Sequence, residues 1–197
     1  MKVGLYFGSF NPVHIGHLII ANHVADNTDL DQVWFVVSPQ NPFKNSSVLL
    51  NEYHRLHMIK SAIYGENKLK ASSVEFKLPR PSYTVDTLAY LKEKHPEHQF
   101  SLVIGSDGFQ NLDKWKNFEV IIKDHLIYVY KRPGFGIKKD WGANIVLLSA
   151  PLLEISSTHI RDIIKKNKSI RFLVPDAVME EIVNNGYYRG GSKYETQ

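Results

Sequence analysis

With 197 residues, 43% of them hydrophobic, no cysteine and a formal net charge of +4, the chain can bury a sizeable core without disulfide or metal staples. The absence of cysteine excludes disulfides, thiolate metal sites and thiol catalysis. The mild positive balance suits an anionic ligand and equally a plain basic surface. No long Lys/Arg run is interleaved with aromatics, so a nucleic-acid groove is not expected. The apolar run after Met1 is too short for a signal peptide, and no stretch approaches a membrane span. The expectation is a soluble, cytoplasmic protein with no membrane or nucleic-acid partner.

In chain order, Lys2 to Phe7 is a short apolar strand running into Gly8-Ser9, and a helix follows from near Val13 to about Asp26. Gln32 to Val37 is β-branched and aromatic and stops at Ser38-Pro39; a polar loop from Gln40 to about Ser47 leads to a helix over about 51–64. That loop, polar and placed after a strand, is the candidate lid. Ala71 to Leu78 reads as a strand closed by Pro79-Arg80-Pro81, and Thr84 caps a helix reaching about Lys94. Phe100 to Ile104 is a buried strand ending at Gly105-Ser106-Asp107. A helix over Trp115–Lys123 and a strand over His125–Tyr130 come next, then a strand over Ile145–Leu148. Helices over about 156–166 and 175–184 complete a small C-terminal helical part (about 156–190), the last ended by Gly186, with residues 191–197 a frayed tail.

Alternating strands and helices argue for an α/β protein, a doubly wound parallel sheet in one domain over residues 1–190. Ligands of such sheets sit beyond the carboxyl ends of the strands. Gly8-Ser9, Ser38-Pro39, Gly105-Ser106-Asp107 and Ser156-Ser157-Thr158 are therefore expected to share one rim.

The most informative segment is Gly8-Ser9-Phe10-Asn11-Pro12-Val13-His14-Ile15-Gly16-His17. Gly8 lets backbone approach a ligand, and the free N–H groups and positive end of the following helix attract phosphate. His14 and His17, three apart, are expected on one helical face, as hydrogen-bond donors that add charge when protonated. Gly16 leaves out a side chain where a phosphate needs room. Two histidines so spaced could also hold a metal or merely decorate a helix, but no carboxylate or thiol lies nearby in sequence. Near the other end, Ser156, Ser157 and Thr158 supply hydroxyls at a helix start, and Arg161 adds a planar charged fork. By itself that stretch is equally an ordinary capped helix with a surface arginine.

The first segment resembles the H-x-G-H signature of the nucleotidyltransferase superfamily related to class I aminoacyl-tRNA synthetases. Ile155-Ser156-Ser157-Thr158-His159-Ile160-Arg161 is similar to its I-S-S-T-x-x-R partner. Over residues 1–190 the chain resembles the bacterial nicotinate-nucleotide adenylyltransferases. Ser82-Tyr83-Thr84-Val85-Asp86-Thr87-Leu88 matches their Y-T-x-D-T-L, and Gly105-Ser106-Asp107 with Leu112 and Trp115 matches G-x-D-x-x-x-x-L-x-x-W. Asn41-Pro42-Phe43-Lys44 stands where many relatives carry P-P-H-K, a departure at Phe43.

The resemblance implies a Rossmann-like nucleotidyltransferase fold and transfer of an adenylyl group from ATP, with Mg²⁺ carried on its phosphates, to nicotinate mononucleotide. It also implies formation of deamido-NAD and pyrophosphate in NAD biosynthesis, and it leaves a homo-oligomer open. The implied ATP-binding set is Gly8, Ser9, Phe10, His14, Gly16, His17, Gly105, Asp107, Ile155, Ser156, Ser157, Thr158 and Arg161. His17, His14 and Arg161 are its catalytic members, and no protein-held metal is expected. The implied acceptor set is Asn41, Lys44, Tyr83, Thr84 and Trp115, with Trp115 stacking on the pyridine ring and backbone N–H groups near Thr84 meeting its carboxylate.

Trp115 is equally readable as a core residue of a helix, and Asp107 as a turn former. Rival functions are adenylyl transfer to nicotinamide mononucleotide or phosphopantetheine, tRNA charging, and non-catalytic nucleotide binding. A synthetase is disfavoured because no K-M-S-K-S segment is present.

Overall fold

The computed structural model describes residues 1–40, 48–132, 134–151 and 153–189. Among them, six strands form one sheet: β1 (Lys2–Gly8), β2 (Gln32–Val37), β3 (Leu69–Ser72), β4 (Gln99–Gly105), β5 (Ile127–Tyr130) and β6 (Ile145–Leu148). They lie in the order β3-β2-β1-β4-β5-β6, every neighbouring pair parallel. The helices are α1 (Ile15–Asn27), α2 (Glu52–Ala62), α3 (Thr84–Lys94), α4 (Ser106–Phe109), α5 (Phe118–Asp124), α6 (Ser157–Lys165) and α7 (Asp176–Asn185). None of them is long and apolar enough to cross a membrane.

The central strands are apolar on both faces because each face has its own helical cover. Tyr6, Val33, Phe35, Val37, Val103 and Tyr128 join α1, α2, α6 and α7 in one core. The alternate residues Val3, Leu5, Trp34, Val36, Leu102, Ile127 and Val129 join α3, α4 and α5 in the other. This is the expected doubly wound parallel sheet, with the expected helices at its C-terminal end. Between β1 and β4 the strand order reverses, so the carboxyl ends of these two strands open a crevice.

Two elements depart from the sequence expectation. The strand over 71–78 is shorter: β3 ends at Ser72, the Ser72 hydroxyl accepts from Val74 N–H at 3.4 Å, and Val74–Lys77 closes into a 3-10 turn. A serine bonding its local backbone competes with the sheet ladder, and at an edge strand it wins. The helix over 115–123 begins later. A 3-10 turn at Leu112–Lys114 closes with Trp115 N–H on Leu112 O at 2.9 Å, and Asn117 takes a left-handed φ of 49°. Only then does α5 start at Phe118, which leaves Trp115 on an extended, non-helical residue. The short helix α4 directly after β4 is an addition.

Three chain segments near the crevice are gathered by one side chain from α2. Arg55, with 0% exposure, donates from Nη1 to Ser9 O (2.6 Å) and Ser38 O (2.9 Å), from Nη2 to Pro39 O (3.3 Å) and from Nε to Leu50 O (2.8 Å). Ser9 follows β1, Ser38 and Pro39 follow β2, and Leu50 enters α2. Burial pulls the guanidinium's pKa down, yet an arginine stays charged at any ordinary pH.

Arg55→Met should therefore destabilise the fold by about 3–5 kcal/mol, because several carbonyls lose their donor at once. Arg55→Lys should recover less than half of that loss, since an ammonium cannot fork to four acceptors. Urea unfolding measures both; a loss below about 1 kcal/mol in Arg55→Met would show that the carbonyls find other partners.

Candidate functional site

A cavity of about 680 Å³ occupies the crevice. Its walls include all the expected site residues within the described chain except Gly16; Asn41 and Lys44, with Phe43 and the candidate lid, lie outside the described residues. Four buried polar atoms on these walls have no hydrogen-bond partner: Ser9 Oγ, His14 Nδ1, Glu75 Oε2 and Ser82 Oγ. Buried polar atoms are seldom left so, and their concentration on one cavity marks it as a place for polar ligand groups.

The floor is the turn from β1 to α1. Gly8 is needed there because an added Cβ would come within 2.7 Å of the Phe10 ring, which folds back beneath it. His14 is not within the helix; it is the residue preceding α1, with extended φ of −146° and ψ of 168°. The two imidazoles meet nonetheless, stacked with centroids 3.6 Å apart and planes 26° apart. His14 N–H donates to His17 Nδ1 at 3.3 Å. Nδ1 is thus an acceptor, and in the neutral tautomer that this bond requires the ring proton sits on Nε2.

Gly16 also differs from expectation: an added Cβ would press on the His14 ring at 3.2 Å, so its bareness makes room for the imidazole rather than for a phosphate. Burial first, and the Arg132 charge second, pull the His14 pKa down to about 4. His14 is therefore neutral at pH 7, and the charge that this ring would add when protonated calls for a much lower pH.

The second expected motif closes onto this floor. Ser156 precedes α6 and accepts from His159 N–H, while Ser157 Oγ donates to Pro12 O at 2.9 Å. Arg161 donates from Nη1 to Asn11 O (2.8 Å) and from Nη2 to Thr158 Oγ1 (3.1 Å). Asn11 is a hub: Oδ1 accepts from Leu50 N–H and Tyr188 OH, and Nδ2 donates to Val48 O. The start of α6 is therefore bolted beside the start of α1, two helix N-termini facing one space.

The far wall belongs to α3 and the Trp115 segment. Tyr83, not Thr84, precedes α3, and Thr84 and Val85 lie at the helix end whose N–H groups have no intrahelical acceptor. Trp115 is half-buried: it packs on the α3–α5 core and also lines the cavity. Lys116 reaches Asp86 at 3.1 and 2.9 Å and sits 4.8 Å from the Tyr83 ring centre, clasping this wall together.

Several residues here were not legible in the sequence. Glu75, 1% exposed, comes from the 3-10 turn, accepts from Thr87 Oγ1 at 2.9 Å, and has its pKa raised chiefly by burial. The hydroxyls of Ser38 and Ser82 lie near enough to temper that rise without completing a bond to Oε2. Arg132, just after β5, pairs with Asp107 at 3.3 Å, and its N–H donates to Ser106 Oγ. Asp107 belongs to α4, and an added Cβ at Gly105 would overlap its carboxylate. Arg132 could have been found from its place after a strand on the common rim. Arg55 had a fainter signal, an arginine in the apolar stripe with Leu56, Met58 and Ile59.

This architecture is that of a nucleotidyltransferase, and the chain belongs to the cytidylyltransferase-like family, whose model matches residues 5–163. A Cytophaga hutchinsonii protein described as a probable nicotinate-nucleotide adenylyltransferase is 51% identical over 191 residues, 95% of this chain and 98% of that protein. Proteins of the same description from Flavobacterium psychrophilum and Bacteroides fragilis are 51% and 44% identical, over 96% and 92% of this chain and 100% and 91% of theirs. Within the family, the chain belongs to the nicotinate-nucleotide adenylyltransferases. Its fold matches the Plasmodium falciparum nicotinic acid mononucleotide adenylyltransferase complexed with NaAD, with a TM-score of 0.79 at 21% identity, covering 95% of this chain and 97% of that one.

The depressed pKa of His14 has a consequence for stability. The unfolded ring binds its proton near pH 6.5 and the folded ring only near pH 4, so stability present at neutral pH is lost as pH falls across that window. The loss attributable to His14 is about 3 kcal/mol at most. His14→Asn should lose correspondingly less between pH 7 and pH 4.5 in urea titrations; identical pH slopes in the two proteins would contradict the assignment.

Proposed function

We propose that this cavity joins the adenylyl group of ATP to the 5′-phosphate of nicotinate mononucleotide, giving deamido-NAD and pyrophosphate in NAD biosynthesis. The observation that carries the reading is the pairing of two phosphate-attracting helix starts, α1 and α6, across one cavity from the open end of α3 and Trp115. A triphosphate fits the first end. The second suits a flat ring bearing an anion: an indole to stack on and free N–H groups for a carboxylate.

An oxygen of the acceptor phosphate attacks the α-phosphorus in line, the bond from that phosphorus to the bridging oxygen breaks, and pyrophosphate departs with the electron pair. A phosphate monoester is already anionic at neutral pH, so no strong base is required; positioning and charge stabilisation do the catalysis. His17 offers Nε2–H to the α-phosphate, where charge builds up. Arg161, held by Asn11 O and Thr158, has donors left for the β- and γ-phosphates. His14 lies beneath them, and a bound polyphosphate raises its proton affinity. Asp107 and Gly105 border the adenosine side.

The cavity's carboxylates do not form a cation cage: Asp107 is paired with Arg132, and Glu75 is bonded to Thr87 in the far wall. A Mg²⁺ accompanying ATP would rest on phosphate oxygens and water, neutralising their charge. We extend the reading to a cytoplasmic enzyme working on small molecules, with neither nucleic acid nor membrane as partner, and compatible with a homo-oligomer.

Incubation with Mg-ATP and nicotinate mononucleotide should yield pyrophosphate and deamido-NAD, detected by chromatography, and much less product with nicotinamide mononucleotide or phosphopantetheine. Equal rates with the amide would remove the carboxylate from the recognition, and no product from any acceptor would favour a binding protein. His17→Ala should lower kcat about 10²- to 10³-fold, as removal of a transition-state donor does. Trp115→Ala should raise the acceptor KM at least tenfold with ATP binding little changed; a collapse of stability with normal KM would make it a core residue only.

A further inference from the structure

At the amino end of β4, roughly 20 Å along the strand from the cavity, the turn His95-Pro96-Glu97-His98 joins α3 to the sheet. It holds the one group of three or more His, Asp or Glu side chains among the described residues whose donor atoms all lie within 4.8 Å of one another. The Nδ1 atoms of both histidines face the same oxygen, Glu97 Oε1, at 3.9 Å for His95 and 3.0 Å for His98. We propose that His95, Glu97 and His98 bind one divalent transition-metal ion of the zinc class, independently of the nucleotide cavity.

Two donors bound at tetrahedral angles to a zinc ion stand roughly 3.4 Å apart, given metal–ligand distances near 2.1 Å. The distances of 3.9 and 3.0 Å straddle that spacing. The alternative, an ion pair between a protonated imidazole and the carboxylate, predicts a directed N–H···O bond. His98 Nδ1 lies within reach of the carboxylate but lacks hydrogen-bond alignment, and it is a buried polar atom that makes no hydrogen bond. Of the five such atoms among the described residues, the other four line the nucleotide cavity. Donors that stand close without pointing at each other are the pattern of ligands around a common centre.

The backbone holds these donors in place. His95 N–H bonds Leu91 O at 2.9 Å, ending α3, and His98 N–H bonds His95 O at 3.0 Å, closing the turn. The two imidazoles lie nearly parallel, with planes 15° apart and centroids 5.2 Å apart, and His98 leans on Phe100. The His98 side chain is 13% exposed, whereas His95 and Glu97, at 43% and 61%, have the freedom to close on an ion. Two imidazoles and one carboxylate favour zinc, copper or nickel over magnesium, with water completing the coordination. The ion would tie the end of α3 to the start of β4, far from the phosphates.

The experiment uses the full chain without an affinity tag, titrated with Zn²⁺ against a chromophoric chelator and with Co²⁺ by visible absorption. One ion per chain is expected, with a thermal midpoint raised by Zn²⁺. His95→Ala, at a half-buried position, and Glu97→Gln, at an exposed one, should each weaken binding at least tenfold and abolish the Zn²⁺ shift, with adenylyl transfer in excess Mg²⁺ unchanged. Zn²⁺ and Co²⁺ titrations indistinguishable between the parent protein and these variants, or no binding by the parent, would overturn the proposal.

Discussion

The site depends on a charge buried without a carboxylate partner. Removing a guanidinium from water is costly, and Arg55 offsets that cost with four backbone carbonyls instead of an anion. Those carbonyls belong to the segments leaving β1 and β2 and entering α2, which are the segments that must diverge around a ligand. A loop that spreads to make a cavity exposes unpaired carbonyls; one fork of donors beneath it satisfies them together. The nucleotide cavity is therefore held open from behind, by a residue that does not line it.

On that support the two sequence motifs, at the starts of α1 and α6, become a single object. Ser157 and Arg161 hold Pro12 and Asn11 by their carbonyls, and Asn11 in turn holds Val48, Leu50 and Tyr188. The C-terminal helices thus do more than cover one face of the sheet, because Tyr188 at their end reaches Asn11 in the turn between β1 and α1. The stacked imidazoles complete the floor with one ring whose donor is oriented by a backbone N–H and another kept neutral by burial. A neutral ring in a basic cavity avoids adding to the repulsion between its cations before the substrate arrives.

The far wall is built differently, from helix polarity and a clasp. Lys116 is engaged by Asp86 and by the Tyr83 ring, so its charge is largely neutralised. Trp115 closes the 3-10 segment, and the left-handed residue Asn117 two positions on delays α5 to Phe118.

Sequence by itself determined the order and type of the principal elements, the doubly wound sheet and the family. Strands covered on both faces must be continuously apolar, and the H-x-G-H and I-S-S-T-x-x-R signatures sit where a strand hands over to a helix or a helix begins. Periodicity and glycine placement are local properties, and these elements obey them. The helical face imagined for His14 and His17, the strand through Glu75 and the helix through Trp115 failed where a hydroxyl–backbone bond, a cap or a left-handed residue overrode the local period. Only the tertiary structure decided what Arg55, Glu75, Asn11 and Arg132 do. Apart from Leu50, five residues before Arg55, their partners lie 12 to 177 residues away in sequence, and burial, not residue type, sets the state of His14 and Glu75. A sequence pattern records which groups a site owns; desolvation and long-range contact decide which of them are charged, paired or held waiting for a ligand.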